Sequence, residues 1–130
     1  MNNAEILAPV GSHEQLLAAV RSGANAVYLG TKNFNARRNA DNFDYFNLSE
    51  AVKYCHSYNV KVYVTLNTIV FDKELNSLYA TIKEIAESGA DAVIVQDFAT
   101  VKAVKKIWPT LPLPASTQVA IHNVSGVKAL

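Results

Sequence analysis

The chain has 130 residues, half of them apolar, with 12 basic and 11 acidic side chains and a formal net charge of +1. This suits one domain able to bury roughly two thirds of its unfolded surface. It excludes a disordered chain, and it excludes nonspecific nucleic-acid or membrane binding through overall charge, though not a local basic site. The single cysteine, Cys55, makes no internal disulfide and by itself no zinc or iron–sulfur site, so a reducing compartment is expected. Met1-Asn2-Asn3-Ala4-Glu5 carries neither a basic region nor a long apolar run. No signal peptide or transmembrane helix is expected, and the default location is the cytoplasm.

Residues 5–8 read as a short strand ended by Pro9-Val10-Gly11, and Ser12 with Gln15 makes a capping box for a helix carrying Leu16, Leu17 and Val20. A second strand spans 26–30. A long connection, 31–46, follows, of the kind that tends to carry function, and Asn47 with Glu50 is expected to cap the next helix. That helix puts Leu48, Val52 and Cys55 on one face and stops near Asn59. Residues 60–66 are the most β-prone run and end at Asn67-Thr68. Asp72 is expected to cap a helix with Leu75, Leu78, Tyr79, Ile82 and Ile85 at amphipathic spacing, ended by Gly89. After a fourth strand, Asp97 caps a helix with Val101, Val104, Ile107 and Trp108 as its stripe, and Pro109 stops it. Residues 113–118 read as a fifth strand weakened by Pro112 and Pro114, and Asn123 caps a last helix, 124–130.

An internal repeat organises this order. Ser22-Gly23-Ala24-Asn25-Ala26-Val27-Tyr28-Leu29 returns as Ser88-Gly89-Ala90-Asp91-Ala92-Val93-Ile94-Val95, and each copy reads as helix end, tight turn and buried strand. Five parallel strands alternating with helices leave an α/β fold of one of two architectures, an open doubly wound sheet or part of a TIM-like (β/α) barrel. The first turn, Ala8-Pro9-Val10-Gly11-Ser12, lacks the spaced glycines of a dinucleotide site, and no P-loop occurs. The repeat spacing favours the partial barrel.

Taken together, Leu7-Ala8-Pro9-Val10-Gly11-Ser12, Ala26-Val27-Tyr28-Leu29-Gly30, Phe34-Asn35-Ala36-Arg37, Val62-Tyr63-Val64-Thr65-Leu66-Asn67-Thr68, Val95-Gln96-Asp97 and Ala115-Ser116-Thr117-Gln118 resemble the amino-terminal part of the collagenase-like peptidase family of unassigned catalytic type. Some members of that family are RNA- or quinone-hydroxylation proteins. The resemblance covers nearly the whole chain and implies a (β/α) barrel longer than it, so residues 1–130 are expected to be an amino-terminal portion truncated in or after the fifth helix. In the hydroxylation branches it also implies an oxygen-independent reaction supported by a cysteine-bound iron–sulfur cluster. The cluster's cysteines and the family's cysteine-containing signature are absent here, so no cofactor is expected in this chain.

Active sites of (β/α) barrels lie at the strand C-terminal ends. Ser12, Asn35, Arg37, Asn67, Thr68, Gln96, Asp97, Ser116, Thr117, Gln118 and Asn123 fall there, a set rich in amides and hydroxyls that suits recognition of a polar substrate better than proton transfer. Ser12, Asp97 and Asn123 double as helix caps. Asn67, Gln96 and Gln118 have no such structural role in the sequence and are expected substrate contacts, as are Asn35 and Arg37 in the long connection. That connection mixes Lys32, Arg37 and Arg38 with Phe34, Phe43, Tyr45 and Phe46, able to pair with an anion and stack on a planar group. RNA or an aromatic carboxylate fits it, and so does a lid with packed aromatics and solvated charges.

No catalytic residue is assigned. Cys55 and His56 are adjacent on a helix and do not share a face, so Cys55 reads as a buried structural thiol. His13 lies in the first helix, and only His122 is near the rim. No G-x-S-x-G, H-E-x-x-H or C-x-x-C motif supports a serine, zinc or cysteine peptidase. For the intact protein the resemblance implies either peptide hydrolysis or iron–sulfur-dependent hydroxylation of a tRNA or rRNA base. The alternative is a catalytically inert half-barrel acting as an assembly or binding module. Its open strand edges and uncovered interior predict self-association into a dimer or larger assembly, with no membrane partner.

Overall fold

The computed structural model describes residues 4–36 and 43–129. Strands β1 (Leu7–Pro9), β2 (Ala26–Gly30), β3 (Lys61–Leu66) and β4 (Ala92–Val95) alternate with helices α1 (His13–Arg21), α2 (Tyr45–Ser57), α3 (Leu75–Ser88), α4 (Phe98–Ile107) and α5 (Val124–Ala129). All strand pairs are parallel and the order is β1-β2-β3-β4. Right-handed crossovers between strands added in sequence all lie on one face of the sheet. The order never reverses, so the doubly wound alternative, which needs a switch point, is not adopted by these strands. What forms is an open, singly wound α/β sheet with the winding of part of a (β/α) barrel.

Strand alternation then separates two faces. Val27, Leu29, Val62, Val64, Leu66, Val93 and Val95 are at most 3% exposed and pack with Leu16, Leu48, Val52, Cys55, Leu78, Ile82 and Ile85 from the helices. Each fully buried aliphatic side chain of this set contributes about 1.5–3 kcal/mol. The opposite face carries Leu7, Tyr28, Tyr63, Thr65 and Ile94, and among the described residues no helix lies over it.

The fifth segment is strand-like but forms a single bridge, Val95 to Ala115. Val93 and Val95 N–H donate to the Pro112 and Pro114 carbonyls, and Ser116 N–H donates to the Val95 carbonyl. The return bond to residue 93 would come from the N–H of residue 114, which proline lacks. Pro114 therefore removes the one donor that would turn this ribbon into a ladder.

Two caps differ from the sequence reading. Asp44, rather than Asn47, caps α2, its Oδ1 accepting from Asn47 N–H at 3.0 Å, which places Asn47 inside the first turn. Asp72 lies within a 3-10 turn, Asp72–Glu74, that leads into α3, and the Glu74 carboxylate accepts from Phe71 N–H at 2.9 Å. The others hold. Ser12 caps α1 while Gln15 reaches back to Gly11 N–H, Asp97 caps α4, and Gly89 ends α3 at φ 83°.

The repeat has a specific structural content. Asn25 N–H donates to the Ile6 carbonyl (3.0 Å) and its Oδ1 accepts from Ile6 N–H (2.8 Å). Asp91 does the same to Val62, with 2.8 and 2.7 Å. In both copies the polar residue after Gly-Ala clips the coming strand to its neighbour.

Candidate functional site

At the C-terminal ends of β2, β3 and β4 the uncovered face opens into a cleft of about 410 Å³. Its floor is Leu7, Tyr28 and Ile94, and its polar rim is Thr65, Asn67, Ser116, Thr117 and Gln118, with Ala36 entering from the β2–α2 connection. Tyr28 and Ile94 occupy the same position of the repeat, so the sequence similarity that sets the strands also sets the floor.

Asn67 and Gln118 are thus brought together. Asn67 is half-buried and its Oδ1 accepts from Ala36 N–H at 3.2 Å, fixing the connection to the end of β3. Gln118 is exposed on the 3-10 turn Thr117–Val119, which Ser116 caps. Asn35 does not line the cleft. It is 1% exposed, and its Oδ1 shares the Thr65 hydroxyl proton with the Leu29 carbonyl, at 3.1 and 3.2 Å. Gln96 lies on the helix side instead, in a separate apolar slot of about 60 Å³ with Val95, Phe98, Val101 and Leu113. Arg37 and Arg38 fall outside the described residues.

Among the rim residues, Asp97 holds two backbone donors: Ala99 N–H at 2.7 Å and Val70 N–H at 3.1 Å. It therefore joins the β3–α3 connection to α4. Asn123 accepts from Gly126 N–H at 2.8 Å. Ser12 accepts from Gln15 N–H at 3.3 Å. All three serve as caps. Tyr28 and Thr65 line the cleft but escaped the sequence reading, which looked past the strand ends; counting strand parity outward from the buried Val27 and Val64 finds both.

The profile of peptidase family U32 matches residues 11–130. The chain belongs to that family. It is 34% identical over 129 residues to a collagenase of Porphyromonas gingivalis, covering 98% of this chain and 31% of the relative. It is 32% identical over 124 residues to tRNA hydroxylation protein P1 of Bacillus subtilis, covering 95% and 29%. To a 23S rRNA 5-hydroxycytidine synthase of Escherichia coli it is 38% identical over 126 residues, covering 97% and 19%. The chain thus spans a third or less of the length of these U32 relatives. The solved structure of the U32 peptidase Mk0906 shares the fold with a TM-score of 0.72 at 13% identity, covering 95% of this chain and 53% of that one.

The U32 chain described here does not fit an iron–sulfur cluster. Such clusters take several thiolates, whereas Cys55 is the one cysteine. It is buried on α2, away from the cleft, and burial first, then the charge of Asp91, pushes its thiol up to about 11. Among the described residues no group of three or more His, Cys, Asp and Glu side chains is placed to hold a metal ion. No described helix is long and apolar enough to cross a membrane.

At the opposite, N-terminal end of the uncovered face, Glu5 accepts from the Tyr63 hydroxyl at 2.8 Å and from Lys61 Nζ at 3.2 Å. These bonds hold Glu5 below its ordinary value, while burial first and then Glu5 push Tyr63 up to about 12. The signs set two pH windows. Tyr63 keeps its proton longer folded than unfolded, so its contribution is full below the ordinary tyrosine value and is lost as pH rises toward 12. The Glu5 contribution is present above the ordinary glutamate value and is lost as pH falls through the lowered folded one. Urea midpoints measured across pH are expected to fall at both ends, and Tyr63→Phe is expected to remove most of the alkaline slope between pH 10 and 12; an unchanged slope would place the titrating group elsewhere.

Proposed function

We propose that this chain forms the recognition wall of a U32 enzyme that hydroxylates an RNA base in the cytoplasm. The observation that carries this reading is the cleft itself, an apolar floor that includes Tyr28 under a rim of carboxamides and hydroxyls. A planar heterocycle stacks on such a floor, and the Asn67 and Gln118 amides, each both donor and acceptor, match the mixed edge of a nucleobase. Among the described residues the rim carries no acid–base pair of the kind peptide hydrolysis uses. The tRNA and rRNA hydroxylation relatives support the same substrate class. The redox group for the reaction is not supplied by this chain's residues, whose role is to bind and orient.

The test is nucleoside mass spectrometry of total tRNA and rRNA from cells lacking the gene. Loss of one hydroxylated nucleoside is expected, restored by the wild-type gene and not by an Asn67→Ala/Gln118→Ala variant. An unaltered nucleoside profile together with lost gelatin hydrolysis would instead support the peptidase reading. The uncovered sheet face, with Leu7 39% exposed, favours a second reading in which the chain also self-associates; sedimentation as a monomer at high concentration would end it.

A further inference from the structure

A second cleft of about 410 Å³ adjoins the first, lined by Lys32, Asn33, Phe34, Thr68, Glu74 and Ser77 among others. The two share one wall. Phe34 and Thr68 face the second cleft where Ala36 and Asn67 face the first, and the Ala36–Asn67 hydrogen bond ties the wall together. Phe34 and Ala36, two residues apart in the chain, are at most about 7 Å apart along the backbone, so the two clefts meet at this wall.

Phe34 sits at φ 57°, in the left-handed region that costs a bulky side chain on the order of 1–2 kcal/mol and that glycine adopts freely. The Thr31 hydroxyl donates to the Asn33 carbonyl at 3.0 Å and closes the turn that imposes it. The half-buried ring packs against the core and also borders the cleft. An aromatic is thus kept at a backbone position that disfavours it.

We infer that Phe34 is a stacking shelf for the base next to the one held over Tyr28, so that the enzyme recognises at least a dinucleotide. This rests on the RNA reading above. Lys32 is tied to Asp44 by an exposed 3.5 Å ion pair, weak enough to be exchanged for a phosphate, but Glu74 shares the cleft and opposes that charge. The gain comes from stacking. A peptide would be read by main-chain pairing along a strand edge, whereas β2 and β3 meet this rim end-on, with their ladder bonds already made to neighbouring strands.

Equilibrium titration of the protein with ribonucleosides and with the corresponding dinucleoside monophosphates tests this. Dinucleotides are expected to bind about tenfold more tightly. Phe34→Gly, which relieves the backbone, and Phe34→Leu, which keeps apolar bulk on the core, are both expected to abolish that gain and leave nucleoside affinity within about twofold. Equal affinity for nucleosides and dinucleotides overturns the second subsite and leaves the first cleft standing. Absence of any nucleotide binding overturns both. A length-dependent gain seen with proline-rich peptides instead, and lost in Phe34→Gly, assigns the subsite to peptide and overturns the RNA assignment.

Discussion

Asp91→Ala is expected to destabilise the fold by about 2–3 kcal/mol, read as a lowered urea midpoint at unchanged slope. Its carboxylate takes the N–H of Val62, a fully buried strand residue, at 2.7 Å and His56 Nε2 at 2.9 Å. Alanine leaves a strand donor without an acceptor beside the first β3–β4 pair, Tyr63 with Ala92. Asparagine keeps the acceptor, and the equivalent residue in the other repeat copy is Asn25, making the same reciprocal pair with Ile6. Asp91→Asn is therefore expected to cost about 1 kcal/mol or less, the charge-assisted part of the bond. His56→Ala is expected to cost still less, because that pair is exposed to solvent. A His56→Ala loss equal to that of Asp91→Ala would show an ion pair, and not a strand clip, to be the stabilising feature.

Gly30→Ala is expected to cost about 1–3 kcal/mol and to weaken substrate binding with it. A Cβ there would overlap the carboxamide of Asn35, which is buried and shares the Thr65 hydroxyl. Asn35 cannot retreat without dragging Ala36, the next residue and part of the cleft wall. The double variant Gly30→Ala/Asn35→Ala removes the overlap. It is expected to be more stable than the sum of the single changes by about 1 kcal/mol. Strict additivity would mean that Gly30 is required for some reason other than room for Asn35.

These two residues mark where sequence reading succeeds and where it stops. The Ser-Gly-Ala-Asn/Asp repeat located β2 to the residue and placed a strand after its second copy, since local turn chemistry and a β-branched run decide both. The reason for the Asn/Asp was not legible, because its partners, Ile6 just before β1 and Val62 in β3, are distant in sequence. The turn before β3 was read near Asn59, but not as a counterpart of the repeat. There Asn59 takes the left-handed position at φ 59°, and β3 begins two residues later, against three after Gly23 and Gly89. Asp44 outcompeted Asn47 as the α2 cap because either side chain can cap, and tertiary position chose between them. The fifth strand expected over 113–118 does not form: its prolines reduce it to one bridge, and Thr117 and Gln118 lie in a 3-10 turn.

The candidate site was legible in kind and only partly in membership. Rim residues were found by their place after each strand, which brought Asn67, Ser116, Thr117 and Gln118 to one cleft. Position after a strand does not set direction, however. The chain turns into α4 directly after Gln96 and carries it to the helix side, while Asn35 folds back under Gly30. Tyr28 was read as strand, and its aromatic ring, on the face without helices, became part of the floor.

The most direct test of the cleft as a base-binding site is an amide NMR titration of the protein with ribonucleosides. Saturable shifts centred on Tyr28, Thr65, Asn67 and the Ser116-Thr117-Gln118 turn are predicted, and they are expected to vanish in the Asn67→Ala/Gln118→Ala variant. Shifts centred on Val95, Phe98 and Val101 around the Gln96 slot, or none at saturating nucleoside, would contradict it.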